Sequence, residues 1–195
     1  AGSWGTALAI VLAENGHNTF LWTHREDQAA EINNSHTNKQ YLPTTVLPTN
    51  LRATASLEEA VAHAKTIVVA VPTKAIREVC SNMSNLLNET KLFVHVSKGI
   101  EPDTLLRISE LMKESIEPQY IEEIVVLSGP SHAEEVVLQH PTTVSATCAS
   151  MEAAEKVQDL FMSQYFRVYT NDDVIGVEIG GALKNVIALA AGITD

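Results

Sequence analysis

Residues 1–25 read AGSWGTALAIVLAENGHNTFLWTHR, and this stretch decides the fold. Gly2 and Gly5 are spaced as the second and third glycines of G-x-G-x-x-G, the turn that sets a phosphate on a helix N-terminus. A helical run over 3–15 follows and stops at Gly16, a residue suited to the left-handed position beyond a helix end. A strand is expected over 18–23. Glycine turn, helix and strand together read as a βαβ dinucleotide-binding unit without its first strand and first glycine. The chain is therefore expected to be a piece of a longer protein, trimmed at both ends.

Short apolar runs alternate with helical patterns through the rest of the chain. Further strands are expected over 51–54, 66–71, 91–96, 124–128, 142–147 and 166–170. Several are almost continuous in Val, Ile and Leu, the pattern of strands covered on both faces by helices. Ser56 with Glu59 reads as a capping box, and Pro102-Asp103 and Ser150-Met151-Glu152 read as helix starts. Residues 173–194 form one long run, apolar on nearly every side and rich in glycine and alanine. Such a helix must be buried on every side. The fold class expected is α/β: a doubly wound, mostly parallel Rossmann-type sheet over 1–172. Over 173–195 the first helix of an all-helical C-terminal domain, itself truncated, is expected to follow.

Composition narrows the function. A net charge of −11 leaves no basic stripe for phosphate backbones, so no nucleic-acid partner is expected. No apolar run is read as reaching the roughly 18 residues of a membrane span, and no leader-like segment is read. Cys80 and Cys148 are taken as buried free thiols in a reducing cytoplasm. No metal site is expected.

In open α/β sheets ligands collect beyond the carboxyl ends of the strands. The second strand ends in Thr23-His24-Arg25, where an NAD site usually carries an acidic residue. His24 and Arg25 instead suit a ribose 2′-phosphate, so NADPH is expected, with NADH possible as a second cofactor. The plainer reading of Arg25 is a solvated side chain paired with Glu26 or Asp27. Later strands run into Pro72-Thr73, Ser97-Lys98-Gly99 and Gly129-Pro130-Ser131-His132-Ala133. Lys98 presents an ammonium at the rim, fit to bind a phosphate or polarise a carbonyl. Lys184 lies within the long apolar helix, where it must pair, snorkel or line a polar cleft. Burial lowers an amine's pKa towards the range that a proton donor near pH 7 needs.

Four blocks carry a specific resemblance: GSWGTA at 2–7, SKGIE at 97–101, SGPSHAEE at 128–135 and GGALKNVIALAAGI at 180–193. The chain resembles the NAD(P)-dependent glycerol-3-phosphate dehydrogenases, most closely the bacterial soluble type. The resemblance implies reversible, NAD(P)H-dependent reduction of dihydroxyacetone phosphate to sn-glycerol 3-phosphate by hydride transfer. It implies that Lys184 is the catalytic proton donor and acceptor and also touches substrate, while Lys98 touches both nucleotide and substrate. Gly2, Ser3, Trp4, Gly5, His24, Arg25, Tyr41 and Ala133 fall on nucleotide positions. Gly129 and Ser131 fall on substrate positions. It further implies a cytoplasmic enzyme supplying glycerophospholipid synthesis, commonly as a homodimer, with more substrate contacts in the domain beyond residue 195. A piece of this length is expected to be inactive alone.

Two other readings compete. The 6-phosphogluconate and β-hydroxyacid dehydrogenases share the layout, but place an asparagine four residues after the lysine, where this chain has Ala188. A non-catalytic dinucleotide sensor would keep the glycine loop and need neither Lys98 nor Lys184.

Overall fold

The structure, a computed structural model, describes residues 1–194. Helix α1 (Ser3–Glu14) opens the chain, followed by β1 (Thr19–Trp22), α2 (Glu26–Ser35), β2 (Leu51–Thr54), α3 (Leu57–His63) and β3 (Thr66–Val69). Next come α4 (Ile76–Ser84), β4 (Lys91–His95), α5 (Ile108–Ser115) and β5 (Ile121–Ser128). The chain continues through α6 (Ala133–Val137), β6 (Thr142–Thr147), α7 (Met151–Phe161), β7 (Phe166–Asn171) and α8 (Val174–Thr194). All seven expected strands form, and the helix–strand alternation gives the doubly wound α/β class.

The strands lie in two sheets, β1-β2 and β3-β4-β5-β6-β7. Every pairing is parallel except β5 with β6. β1 and β3 do not pair; between them, under α1, lies a cavity of about 740 Å³ lined by Leu8, Leu12, Phe20, Leu21, Ile67 and Val69 among others. The main core joins α1 and α7 to the sheet, with Leu8, Val94, Val125, Val157, Phe161 and Phe166 almost wholly buried. A second core packs α4 and α5 on the other face around Ile76, Phe93, Ile108, Leu111 and Met112.

Local chemistry sets the boundaries. Gly16 takes φ +88°; its N–H donates to the Ala13 carbonyl and the His17 N–H to Leu12, so α1 ends in a Schellman turn as expected. Ser56 Oγ accepts from the Glu59 N–H at 3.1 Å, half of the expected capping box; the Glu59 carboxylate turns to the Thr54 hydroxyl instead. Ser150 caps α7 through the Ala153 N–H.

Three expectations need correcting. No helix starts at Pro102-Asp103. Leu105 takes φ +61°, Glu101 is held by Arg77, and α5 begins at Ile108, where the Glu110 carboxylate reaches back to accept the Arg107 backbone N–H at 3.2 Å. The statement that no apolar run reaches membrane length also fails. Val174–Ile193 spans 20 residues at mean hydropathy 1.6, long and apolar enough by length and composition to cross a membrane. Nor is α8 buried all round: Ile175, Leu183, Val186, Ile187, Leu189 and Ile193 are exposed.

Candidate active site

The carboxyl ends of β4 and β5 and the N-terminus of α1 meet at one end of the sheet. A pocket of about 370 Å³ opens there, lined by Ser3, Trp4, Val96, Lys98, Ser131, His132, Ala133 and Glu134. Of the expected site residues it brings together Ser3, Trp4, Lys98, Ser131 and Ala133. Gly2 caps α1, and a Cβ there would meet nothing within 4 Å, so the space over the turn is open. A Cβ on Gly5 would lie 3.3 Å from Ala70 Cβ, so this glycine lets α1 approach the end of β3. The first turn of α1, with its free N–H groups and positive dipole end, fits a pyrophosphate beside that open space.

Lys98 is held by its loop. Ser97 Oγ donates to the Val71 carbonyl at 2.6 Å, and Thr73 Oγ1 donates to the Lys98 carbonyl at 2.9 Å. Gly99 turns the chain at φ +118°, a conformation that L side chains rarely adopt. The Lys98 ammonium donates to the Gly129 carbonyl at 3.1 Å. Withdrawal of this ammonium from water, and the Lys184 ammonium beside it, lower the Lys98 pKa to about 8.

Helix α8 delivers Lys184 by crossing the end of β5. Asp173 Oδ1 accepts the Gly176 N–H at 2.8 Å and starts the helix. At Gly181 a Cβ would stand 3.1 Å from Ser128 Oγ and 3.8 Å from Lys98 Cγ, so the glycine permits the crossing. Asn185 is exposed. Gly129 has a packing reason of its own: a Cβ would come within 2.6 Å of the Thr143 carbonyl on β6.

Other expected residues stand apart. His24 and Tyr41 line the cavity between β1 and β3, as do Gly2 and Gly5. Arg25 lines neither pocket; its guanidinium is paired with the Asp27 carboxylate and donates to Gln40. The plainer reading of Arg25 therefore describes its contacts in this structure.

Sequence reasoning missed two buried polar groups. Thr23, Gln28, Asn38 and Thr6 form a chain of side-chain hydrogen bonds beneath the end of β1. Glu178, 6% exposed, accepts from Ser109 and Arg107 and faces His95. A lone acid in an apolar helix was the available signal for the second.

Fold and glycine turn define a Rossmann-type α/β domain of the nucleotide-binding class. The chain belongs to the NAD-dependent glycerol-3-phosphate dehydrogenase family: the family's N-terminal profile matches residues 1–154 and its C-terminal profile residues 173–195. It is 74% identical over 195 residues to glycerol-3-phosphate dehydrogenase [NAD(P)+] of Lysinibacillus sphaericus and 61% identical to that of Bacillus subtilis. All of this chain is covered, but it spans only 58% and 56% of those relatives' lengths. The crystal structure of glycerol-3-phosphate dehydrogenase from Coxiella burnetii superposes with a TM-score of 0.90 at 35% identity, over 100% of this chain and 59% of that one.

Proposed function

We propose that the protein containing this chain reduces dihydroxyacetone phosphate to sn-glycerol 3-phosphate, reversibly, with NADPH as the preferred reductant and NADH as a second one. The observation that carries this reading is the meeting of Lys98 and Lys184 beside a pocket that also holds the first turn of α1. Bound there, the dinucleotide would supply the hydride; the protein supplies placement and charge.

Each residue then has a role. Ser3, Trp4 and the Gly2–Gly5 turn hold the pyrophosphate side, with Ala133 at the same wall. His24 and Arg25 receive the 2′-phosphate, Arg25 exchanging Asp27 for it, and Tyr41 lies over the adenosine side. Lys98, Gly129 and Ser131 orient the small substrate. As negative charge grows on the carbonyl oxygen, the Lys184 ammonium stabilises it and gives up a proton.

The domain division follows the same reading: residues 1–172 bind nucleotide and 173–195 begin the helical substrate domain. That domain would cover the exposed apolar side of α8, and a further strand would fill the cavity between β1 and β3. The enzyme would act in the cytoplasm as a homodimer, supplying glycerophospholipid synthesis.

The test uses the full-length protein and follows NADPH oxidation with dihydroxyacetone phosphate against dihydroxyacetone, which lacks the phosphate. Turnover confined to the phosphorylated ketone supports the assignment. Equal rates with both ketones, or none with either, contradict it.

A further inference from the structure

Helix α8 carries one carboxylate in its 21 residues, and that carboxylate is buried. Glu178 Oε1 accepts the Ser109 backbone N–H at 2.8 Å, and Oε2 accepts the Ser109 hydroxyl at 2.7 Å and Arg107 Nη1 at 2.6 Å. His95 Nε2 stands 3.2 Å from Oε1. These partners come from two different elements: His95 ends β4, and Arg107 and Ser109 form the N-terminal cap and first turn of α5. A carboxylate is well placed on that turn, where the α5 dipole is positive.

The cluster's position gives it meaning. His95 is three residues before Lys98 on the same strand end, and Glu178 is three residues before Gly181 and six before Lys184 on α8. At 1.5 Å per residue the helix carries Lys184 about 9 Å beyond the carboxylate, in the direction that brings it to Lys98. Between the two points the contact runs through Gly181, which offers no side chain to lock the register. Apolar packing would hold such a helix at lower desolvation cost than a buried acid, but would let it slide and rotate. A carboxylate bound from several directions fixes both motions.

We propose that Glu178, gripped by Ser109 and Arg107 with the His95 ring packed beside it, is a positioning residue that sets the axial placement and rotation of α8 and so holds the Lys184 ammonium beside Lys98. The proposal rests on the reading of these lysines as site residues given above. The groups facing the carboxylate are His95 from β4 and Arg107 from the α5 cap; Arg107 is also paired with Glu110.

The test uses the full-length protein with Glu178→Gln, Arg107→Gln and the double variant. First, acylation of Lys98 is followed against pH by mass spectrometry, without substrate. A midpoint at about 8 is expected in wild type, from withdrawal of Lys98 from water and from the neighbouring Lys184 ammonium. Loss of the clamp moves Lys184 away, and the midpoint climbs by the share that Lys184 contributes, while burial, the larger cause, keeps it below the ordinary lysine value of about 10.4. Second, kcat falls about tenfold or more in Glu178→Gln, since a displacement near 1 Å can cost about a hundredfold. NADPH affinity, read from Trp4 fluorescence, changes less than about twofold. The double variant is no slower than Glu178→Gln, the non-additivity of partners in one cluster.

A folded Glu178→Gln protein with an unchanged Lys98 midpoint overturns the proposal, even if its melting temperature falls, because the acid is then structural alone. If Glu178→Gln does not fold, Arg107→Gln, whose side chain is 18% exposed, is read by the same criteria. Absence of turnover in the wild type would count against the proposed activity, while the substrate-free midpoint still decides the clamp.

Discussion

Gly181 on α8 faces Ser128 at the end of β5 so closely that an added Cβ would stand 3.1 Å from the serine Oγ. This contact sets how near Lys184 comes to the strand ends that carry Lys98 and Gly129. Replacing Gly181 with alanine should gain about 0.5–1 kcal/mol of helix stability yet push α8 outward by a few tenths of an ångström. The expected outcome is an unchanged or higher melting temperature with a lower kcat, and Gly181→Val should deepen the loss of rate. A rate that follows stability in both variants would show that the contact does not set the lysine pair.

Gly129 should behave in the opposite way. Its Cβ would meet the Thr143 carbonyl at 2.6 Å and Val144 Cα at 2.9 Å, both backbone atoms of a central strand. Gly129→Ala should therefore cost about 1–3 kcal/mol through overpacking. For a protein of this size each kcal/mol is about 2–4 °C in melting temperature. Calorimetry on wild type and variant checks this; an unchanged melting temperature would mean that β5 and β6 part without strain.

Lys98 gives a pH dependence whose sign can be worked out. Its pKa is lowered, so the folded state favours the neutral amine, and stability from this group rises as pH climbs from about 8 towards the unfolded value. Lys98→Met should accordingly stabilise the protein at pH 7 and have less effect near pH 10. Binding of a phosphate ester works the other way, since it needs the ammonium. Affinity for glycerol 3-phosphate should fall as pH rises through about 8 in wild type and stay flat in Lys98→Met. Calorimetric titration across that range distinguishes the two.

Glu178 acts at the acid end. Burial pushes its pKa up, but His95 and the Ser109 N–H and hydroxyl outweigh burial and hold it at about 2. A depressed carboxylate contributes stability that is full above its unfolded pKa and is lost as pH falls through the folded one. Denaturant midpoints should therefore drop between about pH 4 and pH 2 in wild type, with a shallower slope in Glu178→Gln. Parallel curves would show that other carboxylates govern acid unfolding.

What the sequence disclosed, and what it hid, divides by range. The seven strands, the left-handed Gly16 and the capping serines are written in local patterns of apolar residues, glycine and hydroxyl side chains, and these were legible. The start of α5 was not, because the left-handed turn at Leu105 and the Arg77–Glu101 ion pair override the Pro-Asp signal. For Arg25 the sequence offered two readings, a phosphate ligand or a partner of Glu26 or Asp27, and the fold shows the pairing with Asp27. The grip on Glu178 joins residues 69 apart in sequence, a distance over which no periodicity runs. Gly129 was read for its place beside the pocket, while its tight fit against β6 needed the fold.

The most direct measurement is the rate of NADPH oxidation by the full-length protein with dihydroxyacetone phosphate, in wild type and Lys184→Ala, alongside NADPH affinity in both. The account predicts rapid turnover in wild type and a loss of at least about a hundredfold in kcat for Lys184→Ala, the scale of one positioned proton donor, with NADPH affinity retained. Lys184→Ala turning over as fast as wild type would contradict it.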